Sequence, residues 1–376
     1  MRNKGKLFCP SCSSEYPLSS PIWRCNCGSF LELEFKPKIE IGKIDRKRKS
    51  LWRYRDFIPL ENDENIVSLE EGFTPILKME IFKKEFFAKL EFLFPTGSFK
   101  DRGASVLVSK LKEMRIKRVV EDSSGNAGCS ISAYCSKAGI ECEIFVPERV
   151  SPSKLTQIRA YGAKINLISG TREDVAESAR KSAEKSYYAS HVWNPFFFQG
   201  TKTFSYELWE QMDSNIPDSI ILPVGNGTLL IGAYIGFKEL LDSGLINRIP
   251  RFIAVQSENC SPIYKIFKEN LNKIPDIEPK RTIAEGIAVA KPARWEKIVK
   301  IIKETEGDVI VVEEKEIFES ALELSKKGIY VELTSATAIA GLRKYKNKNE
   351  EIIVIPLTGH GLKSNENYLN LLEDKK

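Results

Sequence analysis

Lys100 lies in the stretch PTGSFKDRG (residues 95–103), with small hydroxyl and glycine residues before it and Asp101 and Arg102 directly behind it. Two readings satisfy that stretch. Pro95 and Gly97 mark a turn, so Ser98 can cap a helix and leave Lys100 an ordinary solvated charge near its start. Equally, a lysine held in such a turn can present its amine for covalent chemistry. Three further polar, glycine-bearing stretches share its character: DSSGNAG (122–128), PVGNGT (223–228) and LTGHGLK (357–363). PVGNGT leads into the apolar run LLIGAYIG, and backbone N–H groups at a helix start can hold a phosphate. It is also compatible with a plain structural turn, since no Gly-Lys-Ser/Thr follows and the G-x-G-x-x-G fingerprint is incomplete.

A second constellation lies at the N-terminus. Cys9, Cys12, Cys25 and Cys27 form the pattern C-x2-C…C-x-C, while Cys129, Cys135, Cys142 and Cys260 are dispersed through apolar or helical contexts and read as reduced core thiols. Two short turns presenting two thiolates each make a tetrahedral zinc site, with an iron site of rubredoxin type or vacant thiols as the alternatives. Four sulfur ligands leave no open catalytic position, so the expected role is structural. A segment of about 35 residues cannot bury a core of its own, so the metal would supply its folding energy.

The elements that must position these groups are legible from residue 118 onward. Apolar runs such as RVVED, IECEIFVP, AKINLIS, SIILPVG, FIAVQS, DVIVVEE and EIIVIPLTG read as strands. They alternate with the helical stretches NAGCSISAYCSKAG, SPSKLTQIRAYG, TREDVAESARKSAEKS (opened by Thr171), TLLIGAYIGFKELL, SPIYKIFKEN and EIFESALELSKKG. Such alternation predicts an α/β fold with parallel sheets covered on both faces. In open α/β sheets ligands gather at the carboxyl ends of strands, and the three glycine-bearing stretches fall at those ends. The expected division is a zinc ribbon over 1–35, a large cofactor-binding α/β domain over 36–96 and 195–376, and a small α/β domain over 97–194. Both α/β domains are expected to be doubly wound parallel sheets.

Composition excludes several classes. The 376 residues are 42% hydrophobic and 29% charged, as in a globular protein with a sizeable core. The formal charge of +6 is modest for this length, and the one basic run, KIDRKRKS (43–50), reads as a solvated linker rather than a nucleic-acid patch. No apolar run approaches the roughly 20 residues needed to span a membrane. The sequence begins without a signal-peptide h-region, so a cytoplasmic location is expected.

A phosphate loop, an activated lysine and several hydroxyl and amide side chains together suggest pyridoxal phosphate, whose ring is an electron sink for a carbanion. PTGSFKDRG, SSGN, PVGNGT and LTGHGLK, in this order, resemble threonine synthase and its relatives of pyridoxal-phosphate fold type II, the tryptophan synthase beta-like enzymes. EEGFTPI (70–76), AEGIAVAKP (284–292) and GIYVELTSATAIAGL (328–342) extend the resemblance over roughly residues 68 to 365. The resemblance implies that Lys100 carries the cofactor and then shuttles the proton, and that Asn126 bonds the cofactor's phenolic oxygen. It implies that Gly225, Asn226, Gly227, Thr228 and Leu229 cradle the phosphate. Thr358 would face the pyridine nitrogen, where a neutral hydroxyl does not force ring protonation and favours elimination over transamination. Ser123, Ser124 and Gly125 would face the substrate carboxylate, and a homodimer is the family-level expectation. Asp101 and Arg102 read as a structural pair, His360 as shaping the loop around Thr358, and His191 equally as packing or as a ligand.

The match fails where the family binds its substrate's phosphate. The family's SSGNT ends in a threonine, replaced here by Ala127. In HVWNPFFFQGTKT (191–203), His191, Val192 and Phe197 stand where the family has an asparagine, a serine and an arginine, and Phe94 replaces an asparagine before PTGSFK. Phenylalanine cannot reproduce a charge-assisted, bidentate arginine–phosphate contact. Either another cation, such as Lys202 or Arg159, reaches that phosphate, or a substrate pocket including Ala127, Phe94 and Phe197 takes a less charged amino acid. The expected function is thus a lyase of the threonine synthase type in amino-acid biosynthesis. Its nominal reaction converts O-phosphohomoserine and water to threonine and phosphate. The alternatives are a serine/threonine dehydratase, a β-replacement enzyme such as a cysteate synthase acting on phosphoserine, or, outside enzymes, a zinc-ribbon binding protein.

Overall fold

The structure, a computed structural model, describes residues 5–150, 152–346 and 350–373. Strands β1 (Gly5–Phe8), β2 (Glu15–Pro17) and β3 (Glu32–Phe35) form a small antiparallel sheet in the order β2-β1-β3. Strands β4 (Ile76–Ile81) and β5 (Lys84–Lys89) form a hairpin. Its two-residue turn, Phe82–Lys83, takes φ of 55° and 59°, the mirror-image turn that matches strand twist. Then follow α1 (Lys100–Glu113), β6 (Arg118–Glu121), α2 (Asn126–Ala138), β7 (Glu141–Pro147), α3 (Pro152–Ala160), β8 (Lys164–Ile168), α4 (Arg172–Ser182) and β9 (Tyr187–Tyr188). Thr171 opens α4, as its sequence predicts, with a capping box to Asp174. The predicted start of α3 at Ser151 lies outside the described residues.

Helices α5 (Pro195–Thr201) and α6 (Thr203–Gln211) lead to β10 (Ser219–Pro223), α7 (Thr228–Asp242), β11 (Arg251–Ser257) and α8 (Pro262–Glu269). The chain continues through α9 (Trp295–Glu304), β12 (Asp308–Val312), α10 (Glu314–Lys326), α11 (Leu333–Lys344), β13 (Ile353–Pro356) and α12 (Asn365–Glu373). Among the described residues no helix is long and apolar enough to cross a membrane.

These elements divide into two compact units. The first comprises the chain up to Phe73 and again Lys100–Tyr206; the second comprises Thr74–Phe99 and the chain from Glu207 onward. In the first, a parallel sheet runs β8-β7-β6-β9, its chain stepping outward from β6 through β7 to β8 before returning to β6's other side as β9. The second repeats the plan: β10, β11 and β12 step outward, and β13 returns to β10's other side. Each sheet therefore reverses its strand order once, beside β6 and beside β10, and such a reversal opens a crevice at the carboxyl ends.

Two details differ from the sequence reading. The second sheet is mixed, because β4 runs antiparallel to β5 at its edge. A two-residue turn can join only antiparallel neighbours, so the hairpin forces this geometry. Residues 36–73 also pack with the first unit instead of the second. They hold no strand; Trp52 Nε1 donates to Ser105 Oγ (2.9 Å) and the Val67 N–H to Ser109 Oγ (2.8 Å), which lays this segment along α1. Helix α5 likewise packs on α1, so the first unit extends past residue 194.

Candidate active site

Lys100 is the first residue of α1 and is half-buried. The two residues behind it set its register. Asp101 is fully buried and accepts from Ser130 Oγ on α2 (2.6 Å), while the buried Arg102 donates through Nη1 to Thr203 Oγ1 (3.0 Å). One position further on, Gly103 lets the Phe197 ring reach the helix backbone, since a Cβ there would lie 2.4 Å from the ring. Phe197 is consequently 0% exposed, with the Lys100 amine 5.9 Å from its ring centre. It fills the α1–α5 junction against Gly103. Lys202, a proposed substitute cation, is also buried, with its amine 5.0 Å from the Phe35 ring. Asn194 caps α5 by accepting from the Phe196 N–H, and its amide donates to Tyr187.

The segment after β6 carries the next group. Ser123, Ser124 and Asn126 are half-buried and Gly125 is exposed, whereas Ala127 is buried in the first turn of α2. Asp122 anchors the segment: Tyr188 donates to it at 2.8 Å and Arg172 lies 3.5 Å away. Just before it, Glu121 meets His191 Nδ1 at 2.7 Å. Burial, with the Asp122 charge behind it, drives the Glu121 carboxyl well above the usual carboxylate range. Burial, then the charges of Lys100 and Arg172, drives His191 well below its ordinary value. Sequence reasoning left Glu121 as a strand residue; its one signal is a carboxylate closing the apolar strand RVVE.

In the second unit, Gly225, Asn226, Gly227, Thr228 and Leu229 follow β10 and enter the fifteen-residue helix α7. Gly227 caps that helix at φ +68°, and a Cβ on it would lie 2.5 Å from Ile298; one on Gly225 would lie 2.9 Å from the Ile287 backbone. A side chain at either position would collide with these neighbours. The first-turn N–H groups of a helix have no intrahelical acceptor and carry partial positive charge, so this loop suits a phosphate. After β13, the buried Thr358 hydroxyl bonds Ser335 Oγ at 2.9 Å, and the Ser335 hydroxyl also takes the Gly359 N–H. Thr358 O accepts from the Phe99 N–H and the His360 N–H donates to Gly97 O, which knits this turn to the stretch preceding Lys100. Ser98 Oγ in that stretch is buried without a partner, an orphan a bound group can satisfy. His360 accepts from the Leu362 N–H and so shapes the loop. Cradle, neutral hydroxyl pair and orphan together fit pyridoxal phosphate.

The four N-terminal cysteines converge. Their Sγ atoms all lie within 4.8 Å of one another, with Cys9–Cys27 at 3.5 Å and Cys12–Cys25 at 3.4 Å. Tetrahedral zinc with bonds of about 2.3 Å needs sulfurs at such spacing.

Residues 67–359 match a family of pyridoxal-phosphate dependent enzymes. The threonine synthase of Methanocaldococcus jannaschii is 35% identical over 372 residues, spanning 94% of this chain and 92% of that protein. The threonine synthase of Methanosarcina acetivorans is 32% identical over 98% of this chain and 94% of its own. Among solved structures, a threonine deaminase from T.th. is similar with TM-score 0.65 and 25% identity over 77% of this chain and 92% of that one. A maize serine racemase shares the fold with TM-score 0.67 and 24% identity over 81% of this chain and 94% of that one.

Proposed function

The chain belongs to the pyridoxal-phosphate dependent enzymes, among the threonine synthase-like lyases, and from that premise we propose that it removes an oxygen substituent from an amino acid's side chain. The nominal reaction takes O-phosphohomoserine and water to threonine and phosphate. The observation that carries this reading is that both sheets end, beside their strand-order reversals, in the segments bearing the expected site residues.

Bound pyridoxal phosphate supplies an electron sink for the charge left when the α-proton departs. Lys100 Nζ would hold the cofactor's aldehyde carbon, and the amine, once free of it, would serve as the base for the α-proton. The N–H groups of Gly225 to Leu229 hold the phosphate, and the Asn126 amide bonds the phenolic oxygen. Thr358 Oγ1 would face the ring nitrogen. Its partner Ser335 is also neutral, so nothing in this pair forces the nitrogen to protonate. Ser123, Ser124 and Gly125 orient the substrate carboxylate. Cys9, Cys12, Cys25 and Cys27 hold a structural zinc.

The second reading is a dehydratase or β-replacement enzyme acting on a less charged substrate. The burial of Phe197 and Lys202 favours it, because neither offers a cation to a substrate phosphate. Borohydride reduction of the loaded protein followed by peptide mapping tests the site. The pyridoxyl group is expected on Lys100; finding it on another lysine would overturn the assignment.

A further inference from the structure

In the second unit, a cavity of about 530 Å³ opens between residues 281–285, the start of α10 and helix α12. That is the size of a small-molecule site, and none of its lining residues has a role in the chemistry above. Arg281, Asn367, Asn370 and Glu373 line it, and among the described residues their side chains make no hydrogen bond or ion pair. Ile283 and Leu371 add apolar wall. We propose that this cavity binds a free amino acid as a dipolar ion, and that its occupant acts on the phosphate cradle.

The charges on the wall select the ligand class. Glu314 is already engaged: its Oε2 accepts the Ile283 N–H at 2.7 Å, and its Oε1 accepts from Ser257 Oγ. The remaining charges of the lining are Arg281, Glu285 and Glu373. A simple anion would meet two carboxylates, and a simple amine would meet the guanidinium. A ligand carrying both signs suits all three, its carboxylate on Arg281 and its ammonium on the glutamates. The Asn367 and Asn370 amides can donate or accept for either end. Arg281 also stands on a fixed base, since Asn259 Nδ2 donates to its carbonyl at 2.7 Å and the Lys280 N–H donates to Asn259 O at 2.9 Å.

The same segment reaches the cradle. Thr282 Oγ1 accepts the Ala284 N–H at 3.1 Å, leading the chain into the short turn Glu285–Ile287. The Gly286 N–H then donates to Thr334 Oγ1 at 3.0 Å, next to the Ser335 that bonds Thr358. Ile287 lies so close to Gly225 that a Cβ there would come within 2.9 Å of its Cα. A ligand drawn to Arg281 and Glu285 therefore loads a segment already in contact with the cradle and the hydroxyl pair. Any such effect on binding must be reciprocal between the two sites.

Pyridoxine 5′-phosphate is the probe for the cofactor site, because it has the phosphate but no aldehyde and cannot condense with an amino acid. The full chain saturated with it is titrated calorimetrically with each of the common amino acids. Acetate, inorganic phosphate and putrescine serve as controls of one sign only. At least one amino acid should bind at one per chain, and the controls should not. Arg281→Ala should weaken that binding about tenfold or more, without changing pyridoxine 5′-phosphate affinity when no amino acid is present. Glu373→Gln should act in the same direction on amino-acid binding, and carries the comparison if Arg281→Ala does not fold. In the wild type, saturation with the amino acid should change pyridoxine 5′-phosphate affinity about fivefold, and Arg281→Ala should abolish that change. Absence of amino-acid binding, equal binding by Arg281→Ala, equal binding of a control, or an unchanged cradle affinity would overturn the proposal. The action on the cradle rests on the cofactor reading. If pyridoxine 5′-phosphate itself does not bind, that reading fails, and titration of the unloaded chain decides the cavity alone.

Discussion

A ring wedged against a glycine backbone leaves no room for a longer polar side chain. Phe197 is such a ring, enclosed by Gly103, His191 and the start of α1. Phe197→Arg, which would restore the family's phosphate-binding residue type, should bury a guanidinium against the Gly103 backbone and the His191 ring. The expected cost is about 3 kcal/mol or more, read as a lower denaturant midpoint, with no gain in turnover of O-phosphohomoserine. A stable variant with raised turnover would mean that the junction opens in solution and that the ring does line the substrate. The sequence could not separate these cases, because an apolar residue replacing an arginine looks the same whether it lines a cleft or fills a core. Lys100 and the glycines of PVGNGT were legible for the opposite reason: few residue types can do what those positions require. Glu121 stayed hidden, since one carboxylate at a strand end has no distinguishing pattern until His191 is seen beside it.

Elements show the same division between pattern and context. Strands and helices opened by a cap were readable from residue 118 onward, and Thr171 opens its helix as read, the structure adding a capping box with Asp174. The β4–β5 hairpin was not read, because its turn, Phe82–Lys83, lacks the Asn-Gly or Asp-Gly signal that marks such turns. The phosphate cradle offers a test at this scale. Gly227 and Gly139 both have left-handed backbones, with φ of 68° and 67°. A Cβ on Gly139 meets nothing within 4 Å, but one on Gly227 meets the buried Ile298 at 2.5 Å. Gly139→Ala should therefore cost only the backbone term, about 1 kcal/mol. Gly227→Ala adds a steric penalty for about 2–4 kcal/mol in total. It should also weaken pyridoxal-phosphate binding at least tenfold by displacing the first-turn N–H groups of α7, whereas Gly139→Ala should leave binding unchanged. Absorbance titration and denaturant unfolding separate the two effects, and equal binding by both variants would remove the phosphate from this loop.

At the scale of the molecule, the same winding occurs twice, yet the proposed metal and the phosphate cradle belong to different units. The cysteine ribbon lies in the first, where Leu7, Cys9, Cys25 and Leu31 join the apolar cluster that also contains Val119, Val120 and Ile144. Trp23 packs edge-on against Tyr188 at 5.0 Å and Trp193 at 5.6 Å, so the ribbon braces the segment that carries His191. The cradle at 225–229 is built by β10, α7 and the neighbouring Ile287 and Ile298, all in the second unit. Removing the metal should thus loosen the first unit without dismantling the phosphate site. Purified protein should contain one zinc per chain. Chelation, or Cys9→Ser with Cys25→Ser, should lower the unfolding midpoint by about 2–5 kcal/mol equivalent. That is less than isolated zinc modules lose, because part of the ribbon's apolar surface stays covered by the shared core. Emission from Trp23 and Trp193 should shift as their edge contact opens, while the visible absorbance of bound pyridoxal phosphate persists. Loss of that absorbance on chelation would show that the ribbon supports the cofactor site itself, and the structural role assigned to the metal would have to be replaced.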